Sequence, residues 1–285
     1  TLWVVKILID LSYFHGLRFD YSSAKILLDD AISLGRMHNY KRELYKAFTD
    51  MGNYFFNLNL YDSALYYHHN SMRIKEEMGN KSGIAVTLNN IGLIYYRMGN
   101  YDNASKYFRN SLELNLENGD TLSAWANYNN LGLIYYKVQD FHLAKEYFLK
   151  AITIVRDIQD LRLANAYSGL GWVYVKLNDV ENARKYLYSA IEISRKFDDK
   201  KLEALNYYYL AELELNNERY ISARKYLDKS QDLCMEIGDK LRVSYNFLLM
   251  ARLFEAQEQF DSAYYYHKQS SVIEATIFNE QLINN

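Results

Sequence analysis

Few residues in this 285-residue chain have reactive chemistry to offer, and fewer are spaced to act together. His68 and His69 are adjacent, and adjacent side chains on a helix diverge by about 100°, so the two imidazoles cannot easily share one metal ion. They read as one packing ring and one surface ring. The single cysteine, Cys234, excludes an intrachain disulfide and a thiolate zinc site. Flanked by Leu233 and Met235, it reads as a small buried hydrophobe. The acidic pairs Glu76-Glu77 and Asp198-Asp199 fall at helix ends, as solvated or capping groups. No glycine loop for phosphates, nucleophile elbow or metal-spaced cluster is present. The expectation is a protein without catalysis, without a metal and without a cofactor.

Binding chemistry does recur. Asp50, Asn90, Asn130 and Gly169 form one series; Asn53, Leu93, Leu133 and Trp172 a second; Asn57, Arg97, Lys137 and Lys176 a third. Each advances by the same step, so amide, apolar and cationic groups keep a constant offset. An Asn side chain both donates to and accepts from a peptide group, which suits holding an extended backbone. Three cations on one face, with few acids beside them, repel one another unless an acidic group visits. The candidate ligand-binding residues are therefore Asn53, Asn90, Leu93, Arg97, Asn130, Leu133, Lys137, Trp172 and Lys176. The plainer alternative is that Asn89, Asn90, Asn129 and Asn130 bond within the stack and the cations are ordinary wet surface.

The step itself comes from a repeat. The pair aromatic-x-x-Ala recurs as Tyr21/Ala24, Tyr61/Ala64, Tyr101/Ala104 and Phe141/Ala144, then Val180/Ala183, Tyr220/Ala223 and Phe260/Ala263. Nine residues before each stands Ser12, Gly52, Gly92, Gly132, Gly171, Ala211 or Ala251. Seven in-phase copies mean a stack of one supersecondary unit. Within one copy, Leu88, Ile91, Gly92 and Tyr95 share a face at helical spacing, as do Tyr101, Ala104, Phe108, Ser111 and Leu112. Asn80 and its equivalents Asp120, Asp160, Asp199 and Asp239 are helix-start residues, with Tyr40 breaking the series; Asn100, Asp20, Asp140 and Asp179 can start the second helix. Gly79, Gly119 and Gly238 end helices. Each repeat thus reads as helix A, a short turn and helix B, each about 25 Å long. Gly92, Gly132 and Gly171 are expected at close helix–helix contacts. The candidate binding residues project from helix A, opposite its packing face.

Bulk composition agrees with helices and tight turns. Proline is absent, which a loop-rich fold would rarely tolerate. Tyrosine, at 29 residues, falls mostly at packing positions. A net charge of −2 gives no general attraction for nucleic acid. No run of 18 apolar residues exists, so no membrane span is expected in this segment.

Leu88-x-x-Ile91-Gly92-x-x-Tyr95 followed by Ala104-x-x-x-Phe108-x-x-Ser111 resembles the tetratricopeptide repeat in a 40-residue form. The resemblance covers the chain seven times. It implies an all-α solenoid, a right-handed superhelix of seven helix pairs over residues 1–270, with an extended C-terminal helix over 271–285. It implies also that helix A lines a concave groove for a peptide or protein segment. The usual closing proline is missing; His68 and His267 replace the Phe108-type residue, and Glu214 stands where a core Tyr is expected, which should loosen the sixth repeat. Val272, Ile273, Ile277, Leu282 and Ile283 continue an apolar stripe, expected to lead into a further segment and to support a weak homodimer. The stretch Glu274 to Glu280 resembles the repeat-containing sensor region of Bacteroidetes-type two-component signalling proteins, in which the array precedes a coiled coil, a membrane span and a kinase or DNA-binding output. That resemblance implies a bacterial, periplasmic sensor. A structural scaffold with a constant partner and a cytosolic peptide-pheromone receptor are the alternatives.

Overall fold

The computed structural model describes residues 1–18, 20–158 and 160–283, with side chains as far as residue 279. Fourteen helices follow in order among the described residues: α1 (Leu2–Leu17), α2 (Tyr21–Met37), α3 (Lys41–Asn57), α4 (Tyr61–Glu77), α5 (Lys81–Arg97), α6 (Tyr101–Glu117), α7 (Thr121–Lys137), α8 (Phe141–Val155), α9 (Leu161–Lys176), α10 (Val180–Lys196), α11 (Lys200–Asn216), α12 (Tyr220–Glu236), α13 (Lys240–Ala256) and α14 (Phe260–Ile283). Odd-numbered helices are helix A of a repeat and even-numbered ones helix B. The fold is all-α, a solenoid of consecutive helix pairs. None of these helices is long and apolar enough to cross a membrane. The chain divides into two compact units, Thr1–Ile134 and residues 135–285.

One turn design serves nearly every junction. A residue with positive φ ends the helix: Gly79, Gly99, Gly119 and Gly238 in four turns, and Asn39, Asn59, Gln139, Asn178, Asp198, Glu218 and Glu258 in seven others. The residue after it does two jobs. Asn80 donates its backbone N–H to the Lys75 carbonyl (2.9 Å), closing α4, while its side-chain oxygen accepts from the Gly83 N–H (3.0 Å), opening α5. Asn100, Asp140, Asp179, Asp199 and Asp239 cap the same way, and Tyr40 and Leu60 lack a side-chain cap.

In the pairs α3/α4, α5/α6 and α9/α10, a glycine of helix A faces a large residue of helix B. A Cβ on Gly92 would lie 2.8 Å from the Phe108 ring, and one on Gly171 would lie 2.7 Å from Leu187. Both large side chains are fully buried. Gly52 faces the buried His68 ring in the same manner, so His68 is a core group and His69 an exposed one. His267, at the equivalent place in α14, is exposed and meets Glu255 at 3.0 Å.

The tyrosines form a second repeating contact. Near-parallel ring pairs join helix A to helix B at Phe55–Tyr67, Tyr95–Tyr107, Tyr135–Tyr147, Tyr174–Tyr186 and Phe254–Tyr266, with centroids 5.3–5.7 Å apart. The sixth repeat has Glu214 in place of the first ring. The two helices of that repeat, α11 and α12, pack together all the same. Glu214 is buried, and Arg184 of α10 reaches it with two nitrogens at 2.9 and 2.5 Å. Both nitrogens donate to Oε1, so a charge-assisted contact between α10 and α11 stands at the position where other repeats stack two rings within a pair.

Candidate functional site

On α5 the face opposite the core carries Val86, Asn90, Leu93 and Arg97. Val86 and Arg97 are exposed, and Asn90 and Leu93 are half-buried. In α3 the equivalents Asn53 and Asn57 are exposed, and Asp50 is half-buried. Asn53 borders a cavity of about 380 Å³ shared with Asp50, Asn57, Tyr13 and Phe56. The Arg97 guanidinium lies 5.9 Å from the centre of the Phe56 ring, so its cation rests on an aromatic face instead of a carboxylate. Asn130 and Leu133 on α7 are half-buried. Within this first unit the structure therefore brings amide, apolar and cationic groups onto the outer face of α3, α5 and α7.

Part of that amide series is occupied internally. Asn130 donates to Asn89 at 3.2 Å, and Asn127 donates to the same oxygen at 3.2 Å. Behind them Asn115, Ser111 and Asn127 form a buried cluster between α6 and α7. Asn130 is thus tied to the stack, as the plainer sequence reading held for it; Asn53 and Asn90 carry no such bond among the described residues.

In the second unit the sequence reading needs three corrections. Lys176 forms an ion pair with Glu212 of α11 at 2.7 Å, so it is not an unopposed cation. The acid lies 36 residues away, on the next helix A, and so does not show in the composition of Lys176's own helix face. Gly169 does not continue the amide series on an outer face. It is buried, and its missing side chain makes room for Phe148, whose ring a Cβ would meet at 2.3 Å. Trp172 is half-buried in an aromatic stack, 5.0 Å from Tyr209 and 6.2 Å from Tyr136, with a buried indole N–H. Burial, with Tyr209 alongside, raises the Tyr136 phenol pKa well above its ordinary value, and the Tyr136 hydroxyl donates to that of Tyr209 at 3.4 Å. Tyr136, Tyr209 and Glu212 are the site-facing residues that composition alone did not single out. Repeat alignment of α9 with α11 could have paired Lys176 with Glu212. Lys137 is exposed, and neither it nor Arg97 forms an ion pair among the described residues.

Cys234 is buried, and burial raises its thiol pKa, which suits a packing group and not a nucleophile. Among the described residues no group of three or more His, Cys, Asp or Glu could hold a metal ion.

Comparison with known proteins gives a consistent picture. A family model described as tetratricopeptide repeat matches residues 43–117 and 122–196, together more than half of the chain. No curated protein matches the sequence. Among solved structures, the apo form of RapI has a TM-score of 0.81 at 15% identity, covering 96% of this chain and 99% of its own. The apo form of the quorum sensor NprR from B. thuringiensis has a TM-score of 0.80 at 16% identity, covering 95% and 76%. The Rap conjugation gene regulator of plasmid pLS20, in complex with the Phr* peptide, has a TM-score of 0.63 at 19% identity, covering 92% and 73%. At these identities the likeness is one of fold.

Proposed function

We propose, from the premise that this chain belongs to the tetratricopeptide-repeat family, that it is a non-catalytic binding module for an extended peptide or protein segment. The observation that carries the reading is the outer face of α3 and α5, where Asn53, Asn90, Leu93 and an Arg97 without a carboxylate partner stand together. Amides serve a peptide backbone, the leucine an apolar side chain and the cation an acidic one. Two of the structurally similar proteins support a peptide ligand in particular: one is a quorum sensor and one is held in complex with a peptide. The finer role that follows is ligand sensing within a larger signalling protein.

The experiment is a peptide-library screen on the wild type, repeated on Arg97→Glu. Lys176 is left intact, since reversing it would break its pair with Glu212 and confuse folding with binding. Acidic peptides are expected to bind the wild type and to lose at least tenfold in affinity on the variant. Equal affinity for both would remove the outer face as the binding surface.

A further inference from the structure

Lys75, on α4, is only 3% exposed. The next four even-numbered helices hold Asn115, Val155, Ser194 and Cys234 at the same place, all neutral and all buried. A buried ammonium is costly unless its charge is used or matched. Its Nζ donates to Thr87 Oγ1 at 2.8 Å and to Thr49 Oγ1 at 3.2 Å. Those hydroxyls spend their own protons on backbone carbonyls, Thr87 on Gly83 at 3.0 Å and Thr49 on Tyr45 at 2.9 Å. Both therefore accept from lysine through a lone pair, which fixes two of its three N–H bonds. The third has no acceptor among the described residues, and no carboxylate forms an ion pair with the group; only the Tyr45 ring, 5.0 Å away, faces the charge.

Lys75 borders a cavity of about 550 Å³, within the size range of small-molecule sites. Tyr13, Phe14 and Tyr45 give it aromatic walls. Lys46 is a second cation on the lining, and Asp10 and Asp50 are its two carboxylates.

We infer that this cavity binds a small monocarboxylate with an aromatic or apolar body, its carboxylate on Lys75 and its body against Tyr13, Phe14 and Tyr45. An anion supplies the acceptor that the third N–H lacks. Asp10 and Asp50 make a dianion such as a phosphate monoester unwelcome, because a second negative charge would face them directly. Burial holds the Lys75 pKa down to about 8 despite the attraction of Asp50, and the same burial pushes Asp50 up to about 6. Burial thus disfavours both charges, and a carboxylate placed beside Lys75 would favour the lysine's. His68 also feels this lysine's charge, and burial, more than that charge, holds the His68 ring neutral. The proposal stands independently of the peptide reading of the outer helix face.

The test titrates the whole chain with 3-phenylpropionate, its neutral counterpart 3-phenyl-1-propanol, phenyl phosphate, and N-acetyl-Gly-Gly-Phe with a free carboxylate. The small acid is expected to bind at least tenfold tighter than each of the others. At pH 8.5, calorimetry in two buffers of different ionisation enthalpy should show proton uptake on binding. Lys75→Met should abolish binding while leaving the melting temperature equal or higher, because the two threonine hydroxyls keep their carbonyl partners. Lys75→Gln serves as the second variant should the first fail to fold. No saturable binding of the acid, equal binding of the alcohol or phosphate, or retained binding in both lysine variants would overturn the inference. Tighter binding of the peptide acid would overturn it too, by assigning the cavity to a chain terminus.

Discussion

Asp50 and His68 titrate in the same pH window with opposite consequences. Burial pushes Asp50 up to about 6, with Asp10 adding to the rise and Lys46 and Lys75 opposing it. Between its ordinary value of 3.8 and 6, the folded chain holds a proton that the unfolded chain lacks, so this group stabilises the fold increasingly as pH falls. Burial pushes His68 down to about 4, helped by Lys75 and His69. Between 4 and its ordinary 6.5 the unfolded chain holds the extra proton, and stability is lost as pH falls. The wild type should therefore show only a shallow dependence from these two groups between pH 6.5 and 4. Asp50→Asn should steepen the acid loss, whereas His68→Phe, which places the residue of Phe108 and Phe148 in that position, should reverse it. Urea midpoints at pH 4.5 and 6.5 decide the matter, and parallel shifts in both variants would refute the burial argument. Neither shift was legible in the sequence, because a charge's environment depends on helices brought together by packing. Lys75 was within reach, since its equivalents in the next four even-numbered helices are all neutral.

Helix pairing is where the sequence was most informative and also where it misled. The caps at Asn80, Asn100 and Asp140, the Gly79 and Gly119 stops and the Gly92–Phe108 contact all follow from local chemistry at fixed offsets. Gly169 did not, because its role depends on Phe148 of the preceding helix and not on its own angular position. Gly169→Ala sharpens the point. Alanine favours a helix over glycine by roughly 1 kcal/mol, yet overpacking a filled core costs about 1–3 kcal/mol. A net fall in melting temperature is expected. Gly16→Ala is the control, since a Cβ there meets nothing within 4 Å. Equal behaviour of the two would show that the Phe148 ring yields freely. In α14, Ile273 is partly spent on packing against a cluster of Ala204, Cys234 and Val243 and Ile277 is half-buried, so of the expected stripe only Val272 is exposed among the described side chains. The side chains of Leu282 and Ile283, also expected in a self-association seam, lie outside the described residues.

For the molecule as a whole, contacts run to neighbours in the array, and damage should stay local for the same reason. Glu214→Gln tests this. It keeps the shape but weakens the contact with Arg184, at a cost of about 1–3 kcal/mol for charge-assisted bonds. Hydrogen exchange should quicken in α10, α11 and α12 and stay unchanged in α3 and α5; uniform acceleration throughout would mean that the array opens as one body. The same neighbour-only wiring has a consequence for time. Described side-chain hydrogen bonds between helices join residues no more than 41 apart in sequence, apart from Tyr136 to Tyr209. Short loop closures are quick, and speed of folding follows the sequence separation of contacts more than stability. The chain also contains no proline whose slow isomerisation would delay it. A repeat emerging during synthesis can thus dock on its predecessor as soon as some forty residues are available, without waiting for the C-terminal end.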